Sequence, residues 1–200
     1  MKKIIAICTA LLVIVTSSFA TEKFKTNFSF SYAHEIDNKA GNNYTETSLS
    51  NALRMQVSNE SFIGMNATLT VALPYLDNKN TLNGEIGKIK GKQPLKVVLI
   101  AGPSINLPLT DFLKAFASIG LKGSFEYVNT QTIEELRQDF MTGIGIGGSF
   151  GFKVFSNKKI NMVIGTDIYC DFFRTGTIIT SQIPNVSIAY SPFIGVGFTL

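Results

Sequence analysis

Eight stretches of this chain alternate apolar and polar residues: Phe24–Tyr32, Leu49–Val57, Ile63–Tyr75, Leu95–Leu107, Leu113–Tyr127, Phe140–Val154, Ile160–Phe172 and Val186–Leu200. A period of two held over nine or more residues means strands whose successive side chains point to opposite faces. Every charge within them falls on the polar side: Lys25, Arg54, Lys96, Lys114, Lys122, Glu126, Lys153, Asp167 and Asp171. None shares a face with Phe28 and Phe30, Leu69 and Val71, Ile144 and Ile146, or Ile194 and Val196. A soluble sheet tolerates occasional charges among its exposed apolar residues, but a face that meets hydrocarbon does not. The pattern predicts an all-β fold, an eight-stranded antiparallel up-and-down transmembrane β-barrel.

The start of the chain agrees with export. Met1-Lys2-Lys3 is a short basic segment, Ile4–Val15 is apolar, and Ser18 and Ala20 are small residues at the −3 and −1 positions of a cleavage site. Residues 1–20 therefore read as a cleaved signal peptide and 21–200 as the barrel domain. Cys8 lies inside the apolar segment with too little apolar sequence before it for a lipoprotein signal. Cleavage removes Lys2 and Lys3, so the formal charge falls from +4 to about +2, and the basic balance is no argument for nucleic acid. Of the two cysteines only Cys170 remains, which rules out an intramolecular disulfide.

The connections carry the topology. Ala33–Ser48 is long and polar, Ser58–Ser61 tight, Leu76–Pro94 the longest, Pro108–Phe112 short, Val128–Asp139 long, Ser156–Lys159 tight and Phe173–Asn185 long. Long outer loops alternating with short periplasmic turns are the rule in bacterial outer-membrane barrels. Tyr32, Tyr75, Tyr127, Phe140 and Phe172 fall at outer strand ends, Phe24 and Phe198 at periplasmic ends, all on the apolar parity. That placement predicts two aromatic girdles. The Thr132–Asp139 segment has helix-forming composition and predicts a helical turn in the third outer loop.

With its terminal segment Tyr190-Ser-Pro-Phe-Ile-Gly-Val-Gly-Phe-Thr-Leu200, the chain resembles the small eight-stranded outer-membrane barrels: the OmpA membrane domain, OmpX-like proteins and Opa adhesins. The resemblance implies that Tyr190, Ile194, Val196, Phe198 and Leu200 form the signal read by the barrel assembly machinery, although the family usually ends in Phe. It also implies location in the cell outer membrane, with lipid and lipopolysaccharide as surroundings.

Gly143-Ile-Gly-Ile-Gly-Gly148 fits a dinucleotide fingerprint, but that loop needs a helix after it, and the alternation continues instead through Lys153. Its inward glycines make room for bulky residues opposite in a narrow barrel. No cofactor is expected. Eight strands enclose only enough space for side chains, so the inward charges are expected to pair in one network. Two roles compete for it, a structural plug and a narrow pore; with Lys25 included the lumen is net basic and would favour anions.

Catalysis would need a His near a Ser nucleophile and an orienting carboxylate. His34 stands at the mouth of the first loop beside Glu35 and Asp37, but Ser31 points inward, and no serine is placed convincingly on the apolar face. A metal site from these three residues is disfavoured because neighbours at a strand end converge poorly. No catalytic residue is therefore assigned. Lys79, Lys88, Lys90 and Lys92 make the second outer loop basic, suited to lipopolysaccharide or an acidic host or matrix ligand. The expected role is structural or adhesive, through the four outer loops; a passive pore is the first alternative and a lipid-modifying enzyme the second.

Overall fold

The computed structural model describes residues 25–40, 44–74, 79–82, 85–88, 95–131, 136–176 and 186–200. The signal segment with Cys8, and Phe24, Tyr75, Lys90 and Lys92, lie outside the described residues. The strands are β1 (Thr26–Ala40), β2 (Tyr44–Asn59), β3 (Ile63–Pro74), β4 (Lys79–Leu82), β5 (Glu85–Lys88), β6 (Leu95–Pro108), β7 (Leu113–Gln131), β8 (Leu136–Val154), β9 (Ile160–Gly176) and β10 (Val186–Thr199). β1, β2, β3, β6, β7, β8, β9 and β10 pair antiparallel in that order, and β10 closes on β1. The fold is a closed eight-stranded barrel, with β4 and β5 forming a short hairpin that extends the outer end of β2.

Register sets the tilt. Following partners from Phe28 leads through Val57, Ala67, Ala101, Leu121, Ile146, Cys170 and Ile188 back to β1 at Asn38. That is a stagger of about ten residues, which inclines the strands to the barrel axis. Each such row therefore climbs from the periplasmic side on β1 toward the outside on β10.

Parity divides the solvents. Phe30, Leu53, Leu121, Ile144, Ile146, Ile164 and Ile194 all point outward and are exposed, while the alternate positions are buried and largely polar. An exposed wall of this chemistry, with its backbone hydrogen bonds closed into a ring, is suited to hydrocarbon. Cys170 is half-buried on the same outward parity, a free thiol.

Five outer strand ends differ from the sequence expectation. β1, β2, β7, β8 and β9 run well past the alternating stretches, so most of Ala33–Ser48 is strand and not loop. Above a bilayer both faces of a hairpin are wet, and the apolar–polar contrast that marks a strand fades. Tyr32 consequently sits in mid-strand, opposite Leu53 and Ile194, and not in the outer girdle. Leu136–Asp139 pair with Val128–Gln131 as strand, against the predicted helical turn; residues 132–135 lie outside the described residues.

The outer girdle is built from Tyr127 and Phe140, with ring centroids 5.1 Å apart, and Phe125, 5.7 Å from Phe140. Exposed Phe172, Phe173 and Tyr190 continue it. On the periplasmic side, Phe198 is joined by Phe62, Phe112 and Phe155, each exposed in a turn. Phe155 adopts φ 60°, a strained setting for a bulky residue. Inside, a Cβ on Gly147 would lie 2.8 Å from Ile100 Cδ1, so this glycine makes space for the large side chain opposite.

In a Cys170→Ser background, single cysteines at Leu69, Ile146 or Ile194 should react with lipid-soluble but not water-soluble maleimides in bilayers. Ready labelling by the water-soluble reagent would reverse the assignment of faces.

Candidate functional site

The lumen is filled by ion pairs in three tiers. At the periplasmic end Glu60, in the turn after β2, accepts hydrogen bonds from Lys114 Nζ at 2.9 Å and from Lys153. Asn106 holds that turn by donating to the carbonyls of Asn59 (2.9 Å) and Ser61 (2.8 Å). Burial pushes the Glu60 carboxyl up, but the charges and hydrogen bonds of Lys153 and Lys114 outweigh it, and its pKa ends below the usual glutamate range.

The middle tier is one bidentate pair. Arg54 donates from Nε to Asp167 Oδ2 at 2.7 Å and from Nη2 to Oδ1 at 3.0 Å, with both side chains fully buried. Arg54 Nη1 also donates to Gln56 Oε1 (2.9 Å), Ser149 Oγ donates to Asp167 Oδ1 (2.5 Å), and the Phe193 ring lies 3.7 Å from the guanidinium. Planar fork geometry, added donors and a π face make such a desolvated pair tolerable.

The outer tier is a denser network. Lys96 Nζ donates to Glu35 Oε1 (2.8 Å) and Asp37 Oδ2 (2.6 Å), and Lys39 Nζ to Glu126 Oε1 (2.5 Å). Arg174 Nη2 donates to Glu126 Oε2 at 2.9 Å, Lys122 pairs with Asp171, and the Tyr169 hydroxyl bonds Glu35. Between this tier and Arg54–Asp167 lies a cluster of buried apolar side chains. On β6, Val98 and Ile100 follow Lys96; on β9, Tyr169 separates Asp171 from Asp167; on β10, Ala189 follows Ser187.

Of the residues singled out from sequence, Arg54, Lys96, Lys114, Lys122, Glu126, Lys153, Asp167 and Asp171 all point into this lumen. Lys25 does not; it precedes β1 and is exposed. Glu35, Asp37 and Lys39 join the network because β1 continues to Ala40 with its odd positions inward. Arg174 joins through a β-bulge. Ile144 pairs with Phe173 and Gly145 with Asp171, so Phe172 is the extra residue. Phe172 and Phe173 both face out and Arg174 is turned inward. The described lumen thus sets seven cations (Lys39, Arg54, Lys96, Lys114, Lys122, Lys153, Arg174) against six anions (Glu35, Asp37, Glu60, Glu126, Asp167, Asp171). It stays net basic by one charge, a smaller excess than the sequence expectation, because Glu35, Asp37 and Glu60 join it and Lys25 does not.

His34 faces outward, away from Glu35 and Asp37, so the three cannot converge on a metal. Its Nδ1 lies 3.3 Å from Asn51 Oδ1, the same oxygen that Tyr32 donates to at 2.5 Å. Of the residues expected to form an assembly signal, Tyr190, Ile194, Val196 and Phe198 line the outward face of β10, and Leu200 follows the strand with its N–H donating to Thr26 O at 2.9 Å. In the outer hairpin Lys79 pairs directly opposite Lys88.

The architecture is that of the small eight-stranded outer-membrane barrels. Neisserial surface protein A matches with a TM-score of 0.60 at 11% identity, over 88% of this chain and 97% of that one. Ail, the attachment invasion locus protein of Yersinia pestis, matches with a TM-score of 0.54 at 10% identity (88% and 99%), and OprG of Pseudomonas aeruginosa with 0.53 at 10% (88% and 96%). No protein-family model and no curated protein matches the chain.

Removing one partner of the middle pair should be costly. Asp167→Asn should destabilise the barrel by roughly 3–5 kcal/mol, because Arg54 is left buried without its counter-charge. The Arg54→Met/Asp167→Leu double variant should recover most of that loss in urea unfolding from bilayers; equal stabilities would contradict the pairing energetics.

The Glu60 pairing has a definite pH sign. Its carboxyl has a lower pKa in the folded than in the unfolded chain, so its contribution is present above the ordinary glutamate pKa. The contribution is lost as pH falls through the folded value. Glu60→Gln should flatten the acid limb of stability against pH, and a limb unchanged in the variant would exclude the effect.

Proposed function

We propose that this protein is an integral bacterial outer-membrane barrel whose lumen is a structural plug and which acts through its outer loops, as a surface-attachment protein. The observation that carries this proposal is the filled lumen. Three ion-paired tiers and a buried apolar cluster occupy it. A desolvated ion inside would have to break pairs that are each costly to open. The outward row of β10 would serve as the handle for barrel assembly, and the signal segment as the export address.

The loop chemistry favours a polyanion. The backbone register of β4 and β5 sets Lys79 opposite Lys88. Lys90 and Lys92 follow in sequence. Ail, similar in fold, has been solved with the heparin analogue sucrose octasulfate; an acidic matrix polysaccharide is the corresponding ligand proposed for this hairpin, with lipopolysaccharide headgroups as the other anionic source. The enzymatic alternative rests on His34 alone. The nearby Tyr32 hydroxyl is engaged with Asn51, and among the described residues no serine faces outward on β1 or β2.

Refolded protein in planar bilayers should show no steady open level; a voltage-tolerant conductance would replace the plug with a pore. Lys79→Glu/Lys88→Glu should weaken binding to a heparin matrix by roughly tenfold, or about 1.4 kcal/mol. A loss seen only with lipopolysaccharide would assign the hairpin to the membrane surface, and unchanged binding to both would remove it as the ligand site.

A further inference from the structure

The outward wall is not evenly convex. Across β2, β3, β6, β7 and β8 it carries a groove of about 340 Å³, with no charged side chain along it. Val57 and Ala67 form its floor, and Leu99, Phe125 and Ile144 its sides. All five belong to the lipid-facing parity, yet Val57 and Ala67 are 4% and 7% exposed while the neighbouring Leu121 is 74% exposed. The depth comes from a missing side chain: a Cβ added at Gly123 would meet nothing within 4 Å.

Position and size limit what fits. Val97, Phe125 and Thr142 stand one outward position below Leu95, Tyr127 and Phe140, at the outer girdle, so the climbing end of the groove lies in the outer leaflet. Five strands span four spacings of about 4.8 Å, or about 19 Å. One leaflet supplies about half of a 30 Å hydrocarbon core, so a single extended chain is about 15 Å long. A second barrel would present a broad convex wall, too wide for a slot one chain across. We propose that the groove seats one acyl chain of an outer-leaflet lipid, recognised by shape and apolar contact and not by its headgroup.

Protein refolded in dimyristoyl phosphatidylcholine bilayers and released into mild detergent should carry one retained lipid in native mass spectrometry. Gly123→Phe fills the groove where no backbone stands in the way, and retention should fall roughly tenfold as the apolar contact is lost. Ala67→Leu, which raises the floor from another strand, should give the same loss and keeps the test if the first variant folds poorly. Ile164→Phe on β9, outside the groove, should change nothing. Phosphatidylglycerol of equal chain length should be retained equally, and a shorter-chain phosphatidylcholine less. Unchanged retention in both groove-filled variants overturns the proposal, as does retention that follows the headgroup. A wild-type two-barrel species that the filled variants disperse would also overturn it, giving the groove to a second copy.

Discussion

Backbone hydrogen bonding in hydrocarbon governs everything else in this molecule. An unpaired peptide group costs several kcal/mol where no water can reach it, so a sheet can cross the bilayer only as a ring. β10 closes that ring on β1 over most of their length. Closure with eight strands fixes a lumen too narrow for bulk water, and the alternation then makes that lumen polar. The interior must accordingly neutralise its own charge, and it does so in pairs. Apolar filling would be at least as stable, but strands apolar on both faces would read as continuous hydrophobic runs, and runs near eighteen residues are those that lodge as membrane helices. Alternation avoids such runs and still presents an apolar wall.

Much of this was legible from residue order. The inner strand ends match closely because tight turns such as Ser58–Ser61 and Ser156–Lys159 punctuate them and one face turns abruptly apolar. The outer ends were not legible, since above the bilayer water meets both faces and polar residues occupy both parities. Glu35, Asp37 and Lys39 were hidden for that reason, although their odd spacing continues that of Ser29 and Ser31 and alternates with His34 and Ile36. That spacing was the available signal. The tiers themselves depend on cross-barrel distances, such as Arg54 to Asp167, which no local pattern encodes.

Arg174 and Glu60 were hidden for other reasons. Simple parity carries Arg174 outward, and only the extra residue Phe172 reverses it. A run of two adjacent aromatics, Phe172-Phe173, within an alternating strand is the trace a bulge leaves when both must face lipid. Glu60 sits in a tight turn, where a carboxylate is ordinarily solvated. Here it folds back beneath the barrel to meet Lys153 and Lys114. Both residues close an end of the lumen, one from a bulge and one from a turn, where the regular lattice of inward positions has run out.

A filled lumen restricts where chemistry specific to this chain can lie. Ion pairs buried to a few per cent exposure are committed to one another, and a ligand would have to displace a partner to use either member. Among the described residues two other surfaces stand out, the outer hairpin and the lipid-facing wall. The hairpin register sets Lys79 opposite Lys88. The wall leaves Gly123 bare in a strand, where a β-branched or aromatic residue would fit the pleated surface and fill the gap. Neither feature is needed to close the ring or neutralise the lumen, which is why the proposed polyanion and acyl-chain sites rest on them.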